Sequence, residues 1–181
     1  MNKARNNVMY VLILLLVLSV ILNISLSKNL KDIFTYESQC LMNVGDYNSD
    51  LRDIMDTSKD NNNKNEVIYN VKEEWDNLRV FLLNARNYSL NTGLLRKYLS
   101  KVDGTMTNIS QNLNELLIKD ISEFTNEDKE FINKFINLTN SIQTSGSKLR
   151  SKINFIIPIY THIKVKGNLN EIVDTIIGSK F

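Results

Sequence analysis

Apolar residues follow three rhythms along this chain, and each predicts a different element. The first is continuous. Val8 to Leu22 is 15 residues without a charge, and extension through Asn23, Ile24, Ser25 and Leu26 makes 19, the length of a membrane-spanning helix. The second rhythm alternates steps of four and three. From Lys28 to about Ser58 it runs through Leu30, Phe34, Glu37, Leu41, Val44, Asn48, Leu51 and Met55, with polar breaks at Glu37 and Asn48. Such a heptad-type stripe is one face of an amphipathic helix, here continuous with the apolar segment. The polar run Lys59 to Asn65 is a turn, and Asn63 with Glu66 three residues on predicts a helix start. A second helix to about Tyr88 carries Ile68, Val71, Trp75, Leu78, Leu82 and Ala85.

Ser89 to Gly93 predicts the next break. A third helix then carries Leu95, Leu99, Val102, Met106, Ile109, Leu113 and Leu116. Gly104 interrupts it, at a cost of about 1 kcal/mol against Ala, and predicts a bend or a close helix contact. Thr125-Asn126-Glu127-Asp128 resembles a capping box with Asp in place of Glu. It opens a fourth helix with Phe131, Phe135, Leu138, Ile142, Leu149 and Ile153, loosened in the middle by Ser145 and Gly146. The predicted fold is all-α: an N-terminal transmembrane helix, an antiparallel four-helix up-down bundle, and a short C-terminal helix or arm. Helices of about 25–30 residues extend roughly 40 Å from the membrane, and an even number of them brings the fourth back toward it.

The third rhythm is broken. Between Phe131 and Asn170 there is no acidic residue, but there are Lys134, Lys148, Arg150, Lys152, Lys164 and Lys166. Ile153 to Tyr160 is apolar apart from Asn154, and Pro158 breaks any helix there. Tyr160 to Lys166 alternates weakly, as in a short strand or extended arm. Asn168 to Glu171 begins a last short helix with Leu169, Ile172, Val173, Ile176 and Ile177. Two placements follow for this tail. It lies on anionic headgroups through Lys148, Arg150, Lys152, Lys164 and Lys166, or it folds back and covers the open end of the bundle. The second is the simpler. The domain division is 1–7 cytoplasmic tip, 8–26 transmembrane signal anchor, 28–155 extracytoplasmic helical bundle, and 156–181 basic and apolar tail.

The segment 8–26 also has two readings. A cleaved signal peptide has a basic start, an apolar run and a small-x-small site, and Ser25-Leu26-Ser27 is a poor version of that site. An uncleaved anchor has a longer run and no good site, and this segment fits it better. Lys3 and Arg5 favour a cytoplasmic N-terminus, with Lys28 and Lys31 blunting the bias. The expected location is the cell membrane, single-pass, with the domain outside. Cys40 is not a lipoprotein cysteine, because Glu37-Ser38-Gln39 before it is no apolar lipobox.

Composition narrows the chemistry. The 181 residues carry a net charge of +2, with 43% hydrophobic and 23% charged residues, so bulk charge makes no case for nucleic acid. One Pro and six Gly favour long helices over a β-rich fold. Asn occurs 26 times and Ala twice, as in the product of an AT-rich genome. Glycosylation patterns at Asn87-Tyr-Ser89, Asn108-Ile-Ser110 and Asn137-Leu-Thr139 then arise by chance. Cys40 is the only cysteine and His162 the only histidine. No internal disulfide and no Cys/His metal cage can form. Cys40 pairs two copies or, more simply, packs as a small apolar residue. Asp46, Asp50, Asp53 and Asp56 lack the Gly-centred loop of a calcium site and predict a solvated face. Glu73 and Glu74 are adjacent and diverge around a helix. There is no Gly-rich phosphate loop and no G-x-S-x-G, and His162 has no catalytic context. No catalytic residue, cofactor or metal is expected, and Trp75 is expected in the core.

Glu74-Trp75-Asp-Asn-Leu-Arg79, and Phe124-Thr-Asn-Glu-Asp-Lys-Glu-Phe131 before the last long helix, resemble the N-terminal region of the spore germination protein YpeB family. That region has a short anchor followed by a long helical segment. The resemblance covers roughly residues 8–153, and the larger C-terminal repeat region of that family has no counterpart here. It implies a partner-stabilising role for a cell-wall lytic enzyme and carries over no functional residue. The functional expectation is a non-enzymatic, membrane-anchored bundle that binds or positions an envelope protein, or self-associates through its exposed stripe. A sensor-type ligand-binding bundle and a membrane-active, holin-like or toxin-like protein are the alternatives.

Overall fold

The computed structural model describes the backbone of residues 2–56, 61–88, 93–152, 169–179 and 181, and the side chains of 8–25, 38–55, 63–83, 100–148, 169–179 and 181. All regular structure among them is helical: α1 (Asn2–Asn43), α2 (Asn48–Asp56), α3 (Asn61–Tyr88), α4 (Gly93–Ile118), a 3-10 turn (Ile121–Glu123), α5 (Asn126–Lys152) and α6 (169–178).

The apolar segment and the first heptad stripe form one helix, as expected, but that helix stops at Asn43. Residues 44–47 turn, and α2 resumes the stripe. The break lies where Gly45, Asp46 and Asn48 offer turn chemistry that competes with the helical ladder. Backbone bonds Asp46 N–H to Asn43 O (2.9 Å) and Asn48 N–H to Gly45 O (3.2 Å) close the turn. The Gln143 amide donates to Met42 O (3.0 Å) and Asp46 Oδ1 (3.2 Å), capping the end of α1 from α5. A Cβ on Gly45 would stand 2.7 Å from Gln143 Oε1, so the cap needs a glycine there. The core phase survives the break, since Leu41, Val44 and Leu51 are all buried.

α5 runs antiparallel to α1 and α2. Gly146 meets Leu41, Gln143 meets Met42, and Asn140 and Thr139 meet Asn48. α4 runs antiparallel to α3. Lys64 reaches Leu116, Trp75 reaches Met106, and Arg79 reaches Asp103. α1 and α2 also pack on α3. One core joins all of these helices and takes in Leu169, Ile172, Val173 and Ile176 of α6. A closed up-down ring also needs a long α4–α5 seam, and that seam is not among the extensive helix contacts of the described residues.

Most predicted stripe positions with described side chains are buried; Met55, Phe131 and Ile177 are half-buried against the core. Val102, Met106, Ile109, Leu113 and Leu116 on α4 are all at most 1% exposed. α5 starts as expected: Thr125 Oγ1 accepts from Asp128 N–H (3.2 Å), and Asp128 Oδ2 accepts from Thr125 N–H (2.8 Å). Burial pushes the Asp128 carboxyl up, but hydrogen bonds from Lys119 and Thr125 outweigh it and hold the group below the usual range.

Two glycines reverse their expected roles. α4 passes through Gly104 without interruption, and a Cβ there would meet nothing within 4 Å. Gly146, expected to loosen α5, instead lets α5 approach α1: a Cβ there would stand 2.7 Å from Leu41 Cβ. Opposite outcomes follow for thermal or urea unfolding of the full chain in detergent. Gly104→Ala raises stability by about 0.5–1 kcal/mol through helix propensity alone. Gly146→Val lowers it by about 2 kcal/mol or more, because α1 and α5 must separate.

Candidate functional site

The most exposed apolar surface is on α1. Val8–Ser25 has a mean hydropathy of 2.7 and none of it is buried. Eighteen residues at about 1.5 Å rise give roughly 27 Å, close to the apolar thickness of a bilayer. A contiguous apolar surface of this kind does not remain in water. The segment is therefore long and apolar enough to cross a membrane, a length and composition that a signal sequence shares. Asn23, its one amide, donates back to Ser19 O at 2.9 Å, which satisfies a polar group at helix depth.

Beyond the apolar stretch the interior is not purely apolar. Asn48 is 5% exposed and Thr139 is fully buried. Thr139 Oγ1 donates to Asn48 Oδ1 (2.9 Å), and Asn48 Nδ2 donates to Asn140 Oδ1 (2.9 Å). The polar break read at Asn48 is thus an inter-helix hydrogen-bonded pin. On the other side, Trp75 Nε1 donates to Met106 O (3.1 Å), and its ring meets Phe135 edge-on at 5.4 Å. Ser110 Oγ donates to Asp76 Oδ1 (2.7 Å), and Asp76 also pairs with Lys72 (2.7 Å). Ser110 and Thr139, both in glycosylation patterns, are engaged in these structural bonds.

Lys64 is the least expected residue. It is 1% exposed. Its Nζ donates to the carbonyls of Leu116 (3.3 Å) and Leu117 (3.1 Å) and to that of Lys119. An ammonium has three N–H donors, and the C-terminal turn of α4 has unpaired carbonyls and a negative dipole end. Lys64 therefore caps α4 from α3. Burial pushes its pKa down, and the nearby Asp120 opposes that. Sequence reasoning placed position 64 in a polar turn. Its signal was its spacing: Lys64 lies four residues before Ile68, in phase with the stripe.

Glu74 is half-buried beside the end of α1. Burial raises its pKa, Asn43 lowers it by hydrogen bonding, and Glu73 and Asp46 raise it. A carboxyl whose folded-state pKa is raised adds stability while protonated and loses it as pH rises through that pKa.

The sequence-predicted contact residues divide. Lys148 is exposed on α5. Arg150 and Lys152 stand on the last turn of α5, with side chains outside the described set. Lys164, Lys166 and His162 lie outside the described residues. Cys40 is buried, as a small apolar residue is. Asp46, Asp50 and Asp53 are exposed, and among the described residues no group of His, Cys, Asp and Glu could hold a metal ion. No family model, curated protein or solved structure matches this chain.

Two outcomes test the polar interior. Lys64→Met leaves the α4 carbonyls unpaired and lowers stability by about 1–3 kcal/mol, with faster amide exchange at the end of α4. Burial raises the Glu74 pKa, so Glu74→Gln raises the melting temperature at neutral pH. The gain shrinks as pH falls through the ordinary glutamate range of about 4.3, where the carboxyl becomes protonated in both states.

Proposed function

We propose that this chain is a non-enzymatic, single-pass membrane protein whose helical domain binds or positions a protein partner in the cell envelope. One observation carries this reading: α1 runs without a break from the exposed apolar stretch into the buried positions Ser38, Cys40 and Leu41. The domain is therefore attached through a helix that is part of its own core, not through a loose linker. Such an attachment sets the height and orientation of a surface relative to the bilayer, which is what a positioning module needs.

The antiparallel α1/α2–α5 and α3–α4 pairs are read as the two halves of an up-down bundle standing on the membrane. Lys3 and Arg5 put the N-terminus in the cytoplasm and the domain outside. The resemblance to the YpeB N-terminal region offers a cell-wall lytic enzyme as one class of partner to look for. A non-catalytic role fits Asn48, Thr139 and Lys64, buried polar groups whose hydrogen bonds serve the fold.

Membrane fractions from cells making the full chain with a C-terminal tag test the reading. The expected product resists alkaline carbonate extraction, keeps its intact N-terminus by mass, and crosslinks to another envelope protein or to itself. A product beginning near Lys28 and released by carbonate overturns the anchor.

A further inference from the structure

The inter-helix pins give each helix a height above the membrane. Ser25, the end of the apolar stretch, is the reference. Asn43 lies 18 residues further along α1, about 27 Å up at 1.5 Å per residue. Glu74 on α3 hydrogen-bonds Asn43 and shares that height. α3 then descends, and Arg86 on its last turn comes to about 9 Å. Arg79, at about 20 Å, pairs with Asp103 at 2.7 Å, and from there α4 descends to Arg96 and Lys97 at about 9–11 Å. On α5, Gln143 is level with Met42, so Lys152, Arg150 and Lys148 stand at about 12, 15 and 18 Å. The facing ends of α3 and α4 reach lowest. A headgroup layer is about 5–8 Å thick, and the Debye length at physiological ionic strength is about 8 Å. Arg86, Arg96 and Lys97 fall within the sum of the two, as does Lys152 on α5, and they stand lower than it.

Charge is distributed along the same axis. Asn77 to Val102, which spans the two facing helix ends, has five basic residues and no acidic one. Gln111 to Glu130, at the opposite end of the domain, has six acidic and two basic residues. Arg79 is already paired with Asp103, and Lys101 is exposed. Asp32 and Glu37 on α1 also lie at the near end, offset there by Lys28 and Lys31, so the end facing the bilayer is net basic and the far end acidic, the polarity that an anionic surface selects.

We infer that the ends of α3 and α4, where the helices place Arg86, Arg96 and Lys97 at one height, lie at the anionic headgroup layer and form a second membrane contact beside the α1 anchor. This rests on the membrane-anchored reading above. Two contacts on different helices stop the domain from tilting freely about α1, so the surface presented to a partner has a defined orientation. Near an anionic surface each Lys or Arg contributes about a fivefold factor, so the three together amount to roughly a hundredfold.

The test uses the full chain in vesicles of phosphatidylcholine with or without about 30 mol % phosphatidylglycerol. A benzophenone photo-crosslinking residue replaces Tyr88 at the membrane-proximal end or Ile118 at the distal end. The expected result is lipid crosslinking at Tyr88 that rises several-fold with phosphatidylglycerol, with none at Ile118. It falls to the phosphatidylcholine level in Arg86→Glu/Arg96→Glu/Lys97→Glu. Because that variant could fold poorly, the unaltered charges are also tested by salt. Raising ionic strength from about 0.1 to 1 M shortens the Debye length from about 10 to 3 Å and should abolish the phosphatidylglycerol dependence. Crosslinking at Tyr88 that ignores lipid charge and salt, in protein that resists carbonate, overturns the inference and leaves the anchor standing. Loss of the effect in Lys148→Glu/Arg150→Glu/Lys152→Glu, but not in the α3–α4 variant, overturns it in favour of the end of α5. Release by carbonate overturns the anchor and the inference together.

Discussion

Leu41 and Gly146 stand face to face where α1 enters the bundle, and the absence of a side chain at Gly146 is what lets α5 come close. α1 is exposed along its apolar stretch Val8–Ser25 and buried at Ser38, Cys40 and Leu41. Close approach there maximises dispersion contacts, which fall off steeply with even a small gap. The Gln143 amide then caps the end of α1, and Asn48, Thr139 and Asn140 set the register of α2 against α5.

The second half of the core is held by a different chemistry. α3 and α4 are tied by Trp75 to Met106, Asp76 to Ser110, Arg79 to Asp103 and Lys64 to the end of α4. Apolar stripes alone leave two helices free to slide by a turn, since Leu and Ile offer similar surfaces at each step. Directional bonds at four heights remove that freedom, because a slip would leave the buried Trp75 and Lys64 donors unpaired and break the half-exposed Asp76–Ser110 and Arg79–Asp103 contacts. Lys64 also handles a helix end that enters the interior. Its ammonium meets carbonyls that would otherwise be unpaired, and it brings positive charge to a negative helix terminus.

The C-terminal segment shows how the core is completed. Leu169, Ile172, Val173 and Ile176 are buried with the long helices, and Phe181 meets Phe131 edge-on at 5.6 Å. Phe131 lies near the start of α5, at the end of the domain remote from the apolar stretch of α1. The last residues therefore pack on the bundle, and the apolar spacing read from Leu169 to Ile177 was the correct guide to which side chains do so.

Periodicity made the helices legible because burial on one helix face requires a repeat close to 3.6 residues whatever the neighbours are. It correctly marked Leu41, Val44 and Leu51, Trp75 and Leu78, and the whole described stripe of α4. The Thr125–Asp128 cap was legible for the same reason, being a bond between residues three apart. The turn at 44–47 was masked because the stripe keeps its phase across it. Lys64 was misread because its partners lie more than fifty residues away, and the opposite natures of Gly104 and Gly146 depend on what stands across from each. By itself the sequence determined helix type, the apolar segment and most buried positions, since these follow from local pattern and side-chain chemistry. Only the tertiary structure decided which helices touch, at what height, and which polar residues are bonded inside, because those depend on atoms brought together from distant parts of the chain.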